Sequence, residues 1–303
     1  VYANRLDGID IDYEAKYART MPYFSLFLKE LKEAIGFDKW IMCTIKARTP
    51  LDSRYETPED IPTDIEYAND FAEINKHCDR VRIMAYDQGR VDLKLNAERG
   101  DPYAPVADRA WVEKVMRLAA QEIDKDKLVI GVPTYGYEYD MFASLSGSGE
   151  IEYARLWSFN PNYATDLAQK LGISASRNSA GELILTFLAS QSPEPGIPLP
   201  FATRVLSWSD AESIRGKAEL AKELGVRGIA LFKIDGGQDA NVWSALASYE
   251  TNVKQAKKPP TSEVALLGSV LKAAALPVRD LELGSTGEDV RTVQRFLNAN
   301  GFT

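Results

Sequence analysis

The feature that most constrains the fold is an alternation of short β-branched runs with longer helical patterns, which continues through residue 250. Apolar residues within the helical patterns recur every three or four positions, as they do along one face of a helix. Such an alternation predicts parallel strands joined by crossover helices, an arrangement that doubly wound sheets and (β/α)₈ barrels share. The predicted strands are Leu6–Tyr13, Trp40–Lys46, Arg80–Tyr86, Lys127–Pro133 and Gly228–Asp235.

One stretch interrupts the alternation between the fourth and fifth predicted strands. Residues 138–205 combine a Ser/Gly turn cluster, an alternating apolar run at Leu183–Phe187 and a proline-rich loop at Ser190–Pro200. We therefore predict a small β-containing insertion there. Further along, the paired lysines and prolines of Lys254–Pro260 are typical of a semi-rigid linker. The predicted organisation is a main domain at 1–250, a linker at 251–275 and a small unit at 276–303.

Composition excludes several classes of function. The chain carries 36 basic and 44 acidic residues, a formal net charge of −8, which argues against a phosphate-binding surface and a nucleic-acid partner. Its single histidine, His77, argues against a histidine-dependent triad or a multi-histidine metal site. Cys43 and Cys78 are too few for a disulfide-rich scaffold, and we expect both to be buried small hydrophobes. We expect neither a metal nor a cofactor.

The sequence predicts no membrane span. The longest apolar-leaning stretch outside the main body, Val264–Val278, contains Lys272 and is shorter than the roughly 17 residues that cross a bilayer as a helix. It is predicted to be a short packed or linker helix. No signal peptide is visible, since no charged segment with an apolar core follows Val1.

The strongest functional signal is a run of acidic residues on the first predicted strand. Asp10, Asp12 and Glu14 stand two residues apart, so all three lie on one face of a strand, with apolar residues on the other face. Three like charges in a row are unfavourable, so at least one carboxyl group should hold or share a proton. Such coupling keeps a carboxylic acid available for general-acid chemistry near neutral pH.

Three other interpretations of this acidic strand compete with acid–base chemistry. A solvated acidic face would explain neither Gly8 nor the apolar opposite face. A calcium loop of the EF-hand type fails because Ala15 stands where that loop needs glycine. A two-metal site stays open, although the rest of the chain offers no obvious ligand set to complete it.

The pattern Asp7-Gly8-x-Asp10-x-Asp12-x-Glu14 resembles the fourth-strand signature of family 18 glycoside hydrolases, the chitinase family. Later segments follow the order of the family and extend the resemblance over residues 1–250. The resemblance implies a (β/α)₈ barrel. The matching segments are Met84–Asp87 for the sixth strand, Lys127–Gly136 for the seventh and Ser207–Gly228 for the helix before the eighth; Lys46–Thr49 and Trp111–Val112 resemble the bacterial branch of spore-cortex-lytic and cell-wall glucosaminidases.

The resemblance implies an enzyme that hydrolyses β-1,4 bonds next to N-acetylglucosamine, in peptidoglycan or chitin, with retention and without a cofactor. In this family the acetamido group of the substrate itself attacks the anomeric carbon, an exception to the two-carboxylate scheme. The implied catalytic residues are Glu14 as general acid/base, Asp12 to orient the acetamido group, Asp10 to tune Asp12, and Tyr86 to donate to the acetamido oxygen. The implied substrate-binding residues are Asp87, Met84, Tyr135 and Phe232, and Asp7 and Gly8 are structural.

Two features depart from the family pattern. Phe232 stands where the family usually has a tryptophan that floors the sugar site, which favours a non-catalytic carbohydrate-binding or cell-wall-binding protein as the alternative function. The signature also begins at residue 7 although it belongs on the fourth strand. The sequence therefore predicts a barrel truncated at its N-terminus, in which strands four to eight are present.

The tail resembles the opening of a peptidoglycan-binding module. Within Leu281–Phe302, Gly284 and Gly287 permit a tight turn and an amphipathic helix follows from Asp289. An ordinary helical cap is the alternative interpretation. Taken with the signature, the tail favours a monomeric bacterial enzyme outside the cell or in its envelope, with a polysaccharide substrate that is peptidoglycan in preference to chitin.

Overall fold

Five strands of the computed structural model pair in parallel, in the spatial order β1-β2-β3-β4-β10. They confirm the five predicted strands and their parallel arrangement. Within the described residues, β1 and β10 form the two edges of this sheet; that barrel strands one to three are missing stays a prediction. The strands are β1 (Gly8–Asp12), β2 (Trp40–Lys46), β3 (Arg80–Met84), β4 (Leu128–Pro133) and β10 (Gly228–Phe232).

The structure describes residues 1–144, 150–192 and 201–250, together with Gly287 and Arg291. The chain divides into two units, Val1–Asn252 and Val253–Thr303. In the second unit the backbone N–H of Arg291 donates to the carbonyl of Gly287 at 3.1 Å. The predicted linker at 251–275 and the rest of the predicted module at 276–303 lie outside the described residues.

Helices connect the strands, and aspartates begin four of them. The side chain of the aspartate before α3, α4, α5 or α7 accepts a hydrogen bond from a backbone N–H of the first turn, which satisfies a donor that has no partner within the helix. None of the described helices is long and apolar enough to cross a membrane. The helices are α1 (Met21–Ile35), α2 (Leu51–Arg54), α3 (Phe71–His77), α4 (Leu93–Arg99), α5 (Arg109–Ala119), α6 (Pro161–Leu171), α7 (Ala211–Leu224) and α8 (Val242–Glu250).

The two faces of the parallel sheet differ in chemistry because successive side chains of a strand point to opposite sides. One face is apolar and packs into the main hydrophobic core, where Ile41, Ile45 and Val81 are fully buried. The opposite face carries the acidic residues, since the register pairs Asp10 with Met42 and Asp12 with Thr44. This polar inner face leads to the carboxyl ends of the strands.

Cys43 and Cys78 form a disulfide, with their Cα atoms 6.0 Å apart. Cys43 lies on the apolar face of β2, and Cys78 follows the last residue of α3. The burial expected from the sequence is confirmed, but the interpretation as separate small hydrophobes is wrong. The pairing was missed because it depends on how α3 packs against β2.

The predicted insertion is an antiparallel sheet in the spatial order β6-β5-β9-β8-β7. At its centre the guanidinium of Arg204 lies 2.6 Å from carboxylate oxygens of both Glu138 and Asp140. The carboxylate of Glu182 joins the insertion to the segment before α5 by accepting the backbone N–H groups of residues 106 and 107. The strands are β5 (Gly136–Ala143), β6 (Ile151–Phe159), β7 (Ser176–Arg177), β8 (Leu183–Leu188) and β9 (Thr203–Trp208).

Candidate active site

The start of the acidic strand is fixed by a close approach of two backbones. A Cβ atom at Gly8 would lie 2.7 Å from the Cβ of Trp40, nearer than such atoms come in proteins. The backbone N–H of Trp40 donates to the carbonyl of Asp7 at 3.0 Å. Asp7 and Gly8 therefore set β1 against β2, and with it the position of each carboxylate further along the strand.

Asp10 is held by partners on the two neighbouring strands. Its carboxylate accepts a hydrogen bond from the hydroxyl of Thr44 at 3.0 Å and lies 3.2 Å from the guanidinium of Arg82. Arg82 also donates to Thr44 at 3.3 Å. A cation therefore offsets part of the repulsion among the three carboxylates. Asp12 is the last residue of β1, and Glu14 lies two residues beyond the end of the strand; both are exposed.

A cavity of about 720 Å³ opens at the carboxyl ends of β1, β2 and β3. Glu14, Met84, Tyr86 and Asp87 line its wall. In open α/β and barrel folds, ligands bind at this end of the strands, because loops from neighbouring strands meet there. The fold thus brings together the acidic motif of β1 and the Met-x-Tyr-Asp segment that follows β3, which stand 70 residues apart in the sequence.

Tyr86 stands among aromatic rings at this cavity. The ring of Phe232 stacks on it with centroids 5.4 Å apart and an interplanar angle of 12°. Tyr135 meets both rings edge-on, at 6.2 Å from Tyr86 and 6.0 Å from Phe232. Gly131 on β4 leaves room for this cluster, since a Cβ there would lie 3.0 Å from the Tyr86 ring. Phe232 remains half exposed.

The Tyr86 hydroxyl is held in its protonated form. Burial raises its pKa above the ordinary tyrosine value, and the carboxylates of Asp87, Asp12 and Glu14 raise it further. The hydroxyl is therefore a hydrogen-bond donor at any working pH.

Asp87 is oriented by two tyrosines from the start of the insertion. The hydroxyl of Tyr135 donates to its carboxylate, and the hydroxyl of Tyr137 donates to the same oxygen at 3.0 Å. Burial raises the pKa of the Tyr135 hydroxyl, and the charge of Asp87 raises it further. Asp87 has a φ of 60°, a backbone conformation that is uncommon outside glycine.

Lys16 lies close to the acidic motif. Its ammonium group is 4.0 Å from the centroid of the Phe24 ring and donates to the carbonyl of Tyr13. Burial lowers the pKa of Lys16, while Asp12 and Glu14 act in the opposite direction. The ammonium group therefore remains attracted to the two carboxylates as well as to the ring.

All eight sequence-predicted catalytic and binding residues lie at or next to this cavity: four line it, Tyr135 and Phe232 contact Tyr86, and Asp10 and Asp12 lie on the inner face below. Thr44, Arg82 and Tyr137 were missed. Strand alternation places Arg82 on the same face as Met84, but only the register shows that it reaches Asp10. Within the described residues, no group of three or more His, Cys, Asp or Glu could hold a metal ion.

Residues 1–237 match the pattern of glycosyl hydrolases family 18, so the chain belongs to that family. A curated relative, the "Uncharacterized glycosylase YvbX" of Bacillus subtilis, is 22% identical over 240 residues, which are 79% of this chain and 60% of that protein. The "Putative sporulation-specific glycosylase YdhD" of the same species is 24% identical over 52% of this chain and 36% of its own length. The chain therefore spans less than two thirds of the length of either relative.

Solved structures of this family share the fold. The Bacillus cereus spore cortex-lytic enzyme SleL superposes with a TM-score of 0.58 at 20% identity, over 80% of this chain and 49% of SleL. A chitinase from Chromobacterium violaceum gives the same TM-score at 21% identity, over 81% of this chain and 67% of its own. The parallel sheet with its antiparallel insertion therefore matches the barrel-like fold of the family.

Proposed function

We propose that this chain carries the catalytic centre of a glycosidase that hydrolyses β-1,4 bonds next to N-acetylglucosamine, in peptidoglycan or chitin, with retention of configuration. The observation that carries the proposal is that Glu14 and the Tyr86–Asp87 pair line one cavity, in a chain that belongs to family 18. Proteins of similar structure include both a spore cortex-lytic enzyme and a chitinase, which supports these two substrates.

Glu14 is the proposed general acid and base. Its exposed carboxyl group on the cavity wall can reach a glycosidic oxygen, to which it gives a proton as the bond to the leaving sugar breaks. The acetamido carbonyl of the substrate attacks the anomeric carbon from the other side, so no second carboxylate is needed as nucleophile. Glu14 then takes a proton from the water that opens the cyclic intermediate.

Asp12 and Tyr86 are proposed to hold the acetamido group during this attack. Asp12 orients its N–H and balances the positive charge that develops on the ring of the intermediate. Tyr86 donates its hydroxyl to the acetamido oxygen, a role for which the raised pKa suits it. Asp10, which is held by Thr44 and Arg82, is proposed to influence the reaction by tuning Asp12. The proposed sugar pocket is formed by Met84, Asp87, Tyr135 and Phe232.

The proposed place of action is the cell envelope or the exterior of a bacterial cell, where peptidoglycan or chitin is accessible to an enzyme. The buried disulfide between Cys43 and Cys78 supports an oxidising compartment, because structural disulfides are rare in the reducing cytosol. The tail at Leu281–Phe302 would raise the local concentration of wall substrate if it binds peptidoglycan as its sequence predicts. A monomer suffices for both parts.

The test is the substitution Glu14→Gln in the whole protein. We expect turnover of chitin oligomers and peptidoglycan strands to fall by roughly 10²- to 10⁴-fold, because the amide cannot protonate the glycosidic oxygen. Sugar binding should change little, since glutamine keeps the shape of the side chain. The matched control is Glu33→Gln, an exposed carboxylate on α1 that should leave turnover unchanged. Undiminished turnover in Glu14→Gln would exclude Glu14 as the acid.

The non-catalytic alternative rests on Phe232, whose half-exposed ring stacked on Tyr86 offers an apolar platform for a sugar. The same experiment distinguishes the two functions. A binding protein would retain wall polymer in both the parent and the Glu14→Gln variant, without hydrolysis by either. It would also lack affinity for thiazoline-type inhibitors, which require the acetamido pocket between Asp12 and Tyr86.

A further inference from the structure

The wall of the cavity carries more basic than acidic side chains, although the chain as a whole is acidic and Asp10 and Asp12 lie below the wall. The whole chain carries a net charge of −8, but basic side chains outnumber acidic ones on the cavity wall by five to three. A cleft lined mainly by one sign of charge attracts ligands of the other sign, because its low-dielectric walls concentrate the field. The charged residues that line it are Lys16, Lys46, Arg48, Arg54 and Arg155, against Glu14, Glu66 and Asp87.

Two of these five cations lie over aromatic rings and also donate to backbone carbonyls. Lys16 lies over Phe24 next to the acidic motif. Arg48 lies between two aromatic rings, 3.6 Å from the centroid of Tyr67 and 4.0 Å from that of Phe71, and donates to a backbone carbonyl at 2.9 Å. These two side chains are therefore part of the wall, and their charges are partly satisfied.

The other three cations, Lys46, Arg54 and Arg155, are exposed; Arg54 lies 5.8 Å from the centroid of the Tyr55 ring and Arg155 lies 4.9 Å from that of Tyr137. Within the described part of the chain, none of them has a carboxylate within 4 Å. Other exposed basic side chains do have one, such as Lys94 with Asp52 at 3.0 Å. Because these three cations line one cavity without a carboxylate partner among the described residues, an anionic ligand there would be attracted to them.

Lys46 is placed by the parallel sheet. It ends β2 in register with Met84, one of the residues that line the cavity. It also follows Thr44 by two positions, so its side chain leaves the strand on the same face as Asp12. The ammonium group therefore belongs to the cavity side of the sheet.

Arg155 is placed by the insertion. The pairing of β5 with β6 shifts register between Glu138 and Tyr139, so that β6 contains one extra residue beside Arg155. Such bulges bend a strand and redirect its side chains. The guanidinium lies 4.9 Å from the centroid of the Tyr137 ring, whose hydroxyl bonds to Asp87. Tyr137 therefore connects Arg155 to Asp87, a residue of the proposed sugar pocket.

We infer that Lys46, Arg54 and Arg155 bind carboxylate groups carried by the glycan, so that the site prefers a carboxylated N-acetylated glycan to the neutral N-acetylglucosamine polymer. This inference rests on the proposed function and narrows its substrate. Guanidinium groups pair with carboxylates through two parallel hydrogen bonds, which adds orientation to the attraction. In peptidoglycan the carboxylate comes either from the lactyl group of muramic acid or from the peptide attached to it.

The test compares three soluble ligands of equal sugar length: peptidoglycan strands stripped of peptide, the same strands with peptides, and chitin oligomers. Equilibrium binding and kcat/KM are measured for the whole protein and for a variant with Lys46→Gln, Arg54→Gln and Arg155→Gln combined. The matched control is Arg215→Gln, an exposed arginine on α7 that does not line the cavity. Thermal unfolding of each variant verifies that it is folded.

The combined variant should lose at least about tenfold in affinity and kcat/KM for carboxylated strands while chitin oligomers change little. Raising the salt concentration from about 50 to about 300 mM should weaken carboxylated binding by the parent protein but hardly affect the variant. A loss confined to peptide-free strands assigns the lactyl carboxylate, which is free only where no peptide is attached to it. A loss confined to peptide-bearing strands assigns the carboxylates of the peptide, and a loss with both shows that the site binds a carboxylate from either source. Equal losses on chitin, or no loss on any ligand, would overturn the inference.

Failure of the proposed function gives a different result. If the parent protein hydrolyses none of the three ligands, the glycosidase proposal fails, and the binding measurement alone decides the preference for carboxylates. If the parent hydrolyses chitin oligomers and peptidoglycan strands with equal efficiency and equal salt dependence, the glycosidase proposal stands and the preference for carboxylates fails.

Discussion

The parallel sheet and the insertion sheet use charged side chains in opposite ways. On the parallel sheet, the side chains of Asp10 and Arg82 are 38% and 28% exposed and lie below an open cavity. On the insertion sheet, the side chains of Arg204 and its two carboxylate partners are at most 3% exposed. Charges that remain near water can exchange protons and meet a ligand, whereas buried and fully paired charges fix one arrangement of strands.

Removing the buried cation should have the largest effect on stability. In Arg204→Met, Glu138 and Asp140 would remain buried without a counter-charge, so we expect a loss of about 3–5 kcal/mol in the free energy of unfolding. Urea denaturation followed by fluorescence, with Trp157 and Trp208 on the insertion as reporters, measures this. Adding Glu138→Gln and Asp140→Asn to Arg204→Met should recover part of the loss. A loss below about 1 kcal/mol would contradict the structural role assigned to the buried pairs.

The disulfide should have the next largest effect. Replacing Cys43 and Cys78 by alanine removes a bond between residues that are 35 positions apart in the sequence. Because the unfolded chain is then less constrained, we expect a loss of about 2–4 kcal/mol in the free energy of unfolding. Urea denaturation in the absence of reductant measures it, and the parent protein denatured with reductant should approach the same value. An unchanged midpoint in both experiments would show that the bond does not contribute to stability.

Alkaline pH should distinguish the tyrosines around the cavity from exposed ones. Burial raises the pKa of Tyr86, Tyr135 and Tyr139 in the folded state, so the unfolded chain loses these protons first as the pH rises above about 10. Stability is therefore complete below that pH and falls above it, by up to about 1.4 kcal/mol per pH unit for each such tyrosine. Urea denaturation at pH values from about 8 to about 11, which bracket the ordinary tyrosine pKa of about 10, measures this decline in the free energy of unfolding.

A pair of variants makes the pH experiment specific. Tyr135→Phe removes one buried hydroxyl. Above the ordinary tyrosine pKa of about 10, the stability of this variant should therefore decline less steeply with pH than that of the parent protein. Tyr23→Phe alters a ring that is 73% exposed and should leave the slope unchanged. Equal slopes in Tyr135→Phe and the parent would contradict the burial of this hydroxyl.

The smallest effect on stability is expected at Arg82. Because its ion pair with Asp10 is partly exposed, Arg82→Met should cost no more than about 1 kcal/mol. Turnover should nevertheless fall by about tenfold or more, since Asp10 keeps its hydrogen bond from Thr44 but loses the cation that helps to position it. A rise in KM with unchanged kcat would contradict the catalytic role of this ion pair. A stability loss as large as that of Arg204→Met would contradict the contrast between the two sheets.

The sequence predicted the parallel sheet well because its signal is local. Alternating strands and helices identify the five strands, and the spacing of Asp10 and Asp12 places both on one face without any knowledge of neighbours, whereas Glu14 lies beyond the end of β1. Contacts between strands were not predictable in this way. The partnership of Asp10 with Arg82 depends on the register of three strands, which the spacing within one strand does not determine.

The insertion was predicted only as a β-containing interruption. Its first strand begins three residues after β4 ends, so no helical pattern separates the two sheets. The sequence therefore did not reveal how many strands the insertion contains. Tyr137 and Arg155 belong to no motif: Tyr137 donates to Asp87, and Arg155, beside the bulge between β5 and β6, lies over the ring of Tyr137. Residues that an insertion adds to a site are therefore the hardest to find from sequence.

The most direct test of the central claim is the configuration of the first product. ¹H NMR of the whole protein acting on a chitin oligomer or a peptide-free peptidoglycan strand resolves the anomeric proton of the new reducing end before it equilibrates. The account predicts that the β-anomer appears first, and that an oligomer without N-acetyl groups is not cleaved, because the acetamido group held by Asp12 and Tyr86 is the nucleophile. Initial release of the α-anomer, or equal cleavage of the deacetylated oligomer, would contradict it.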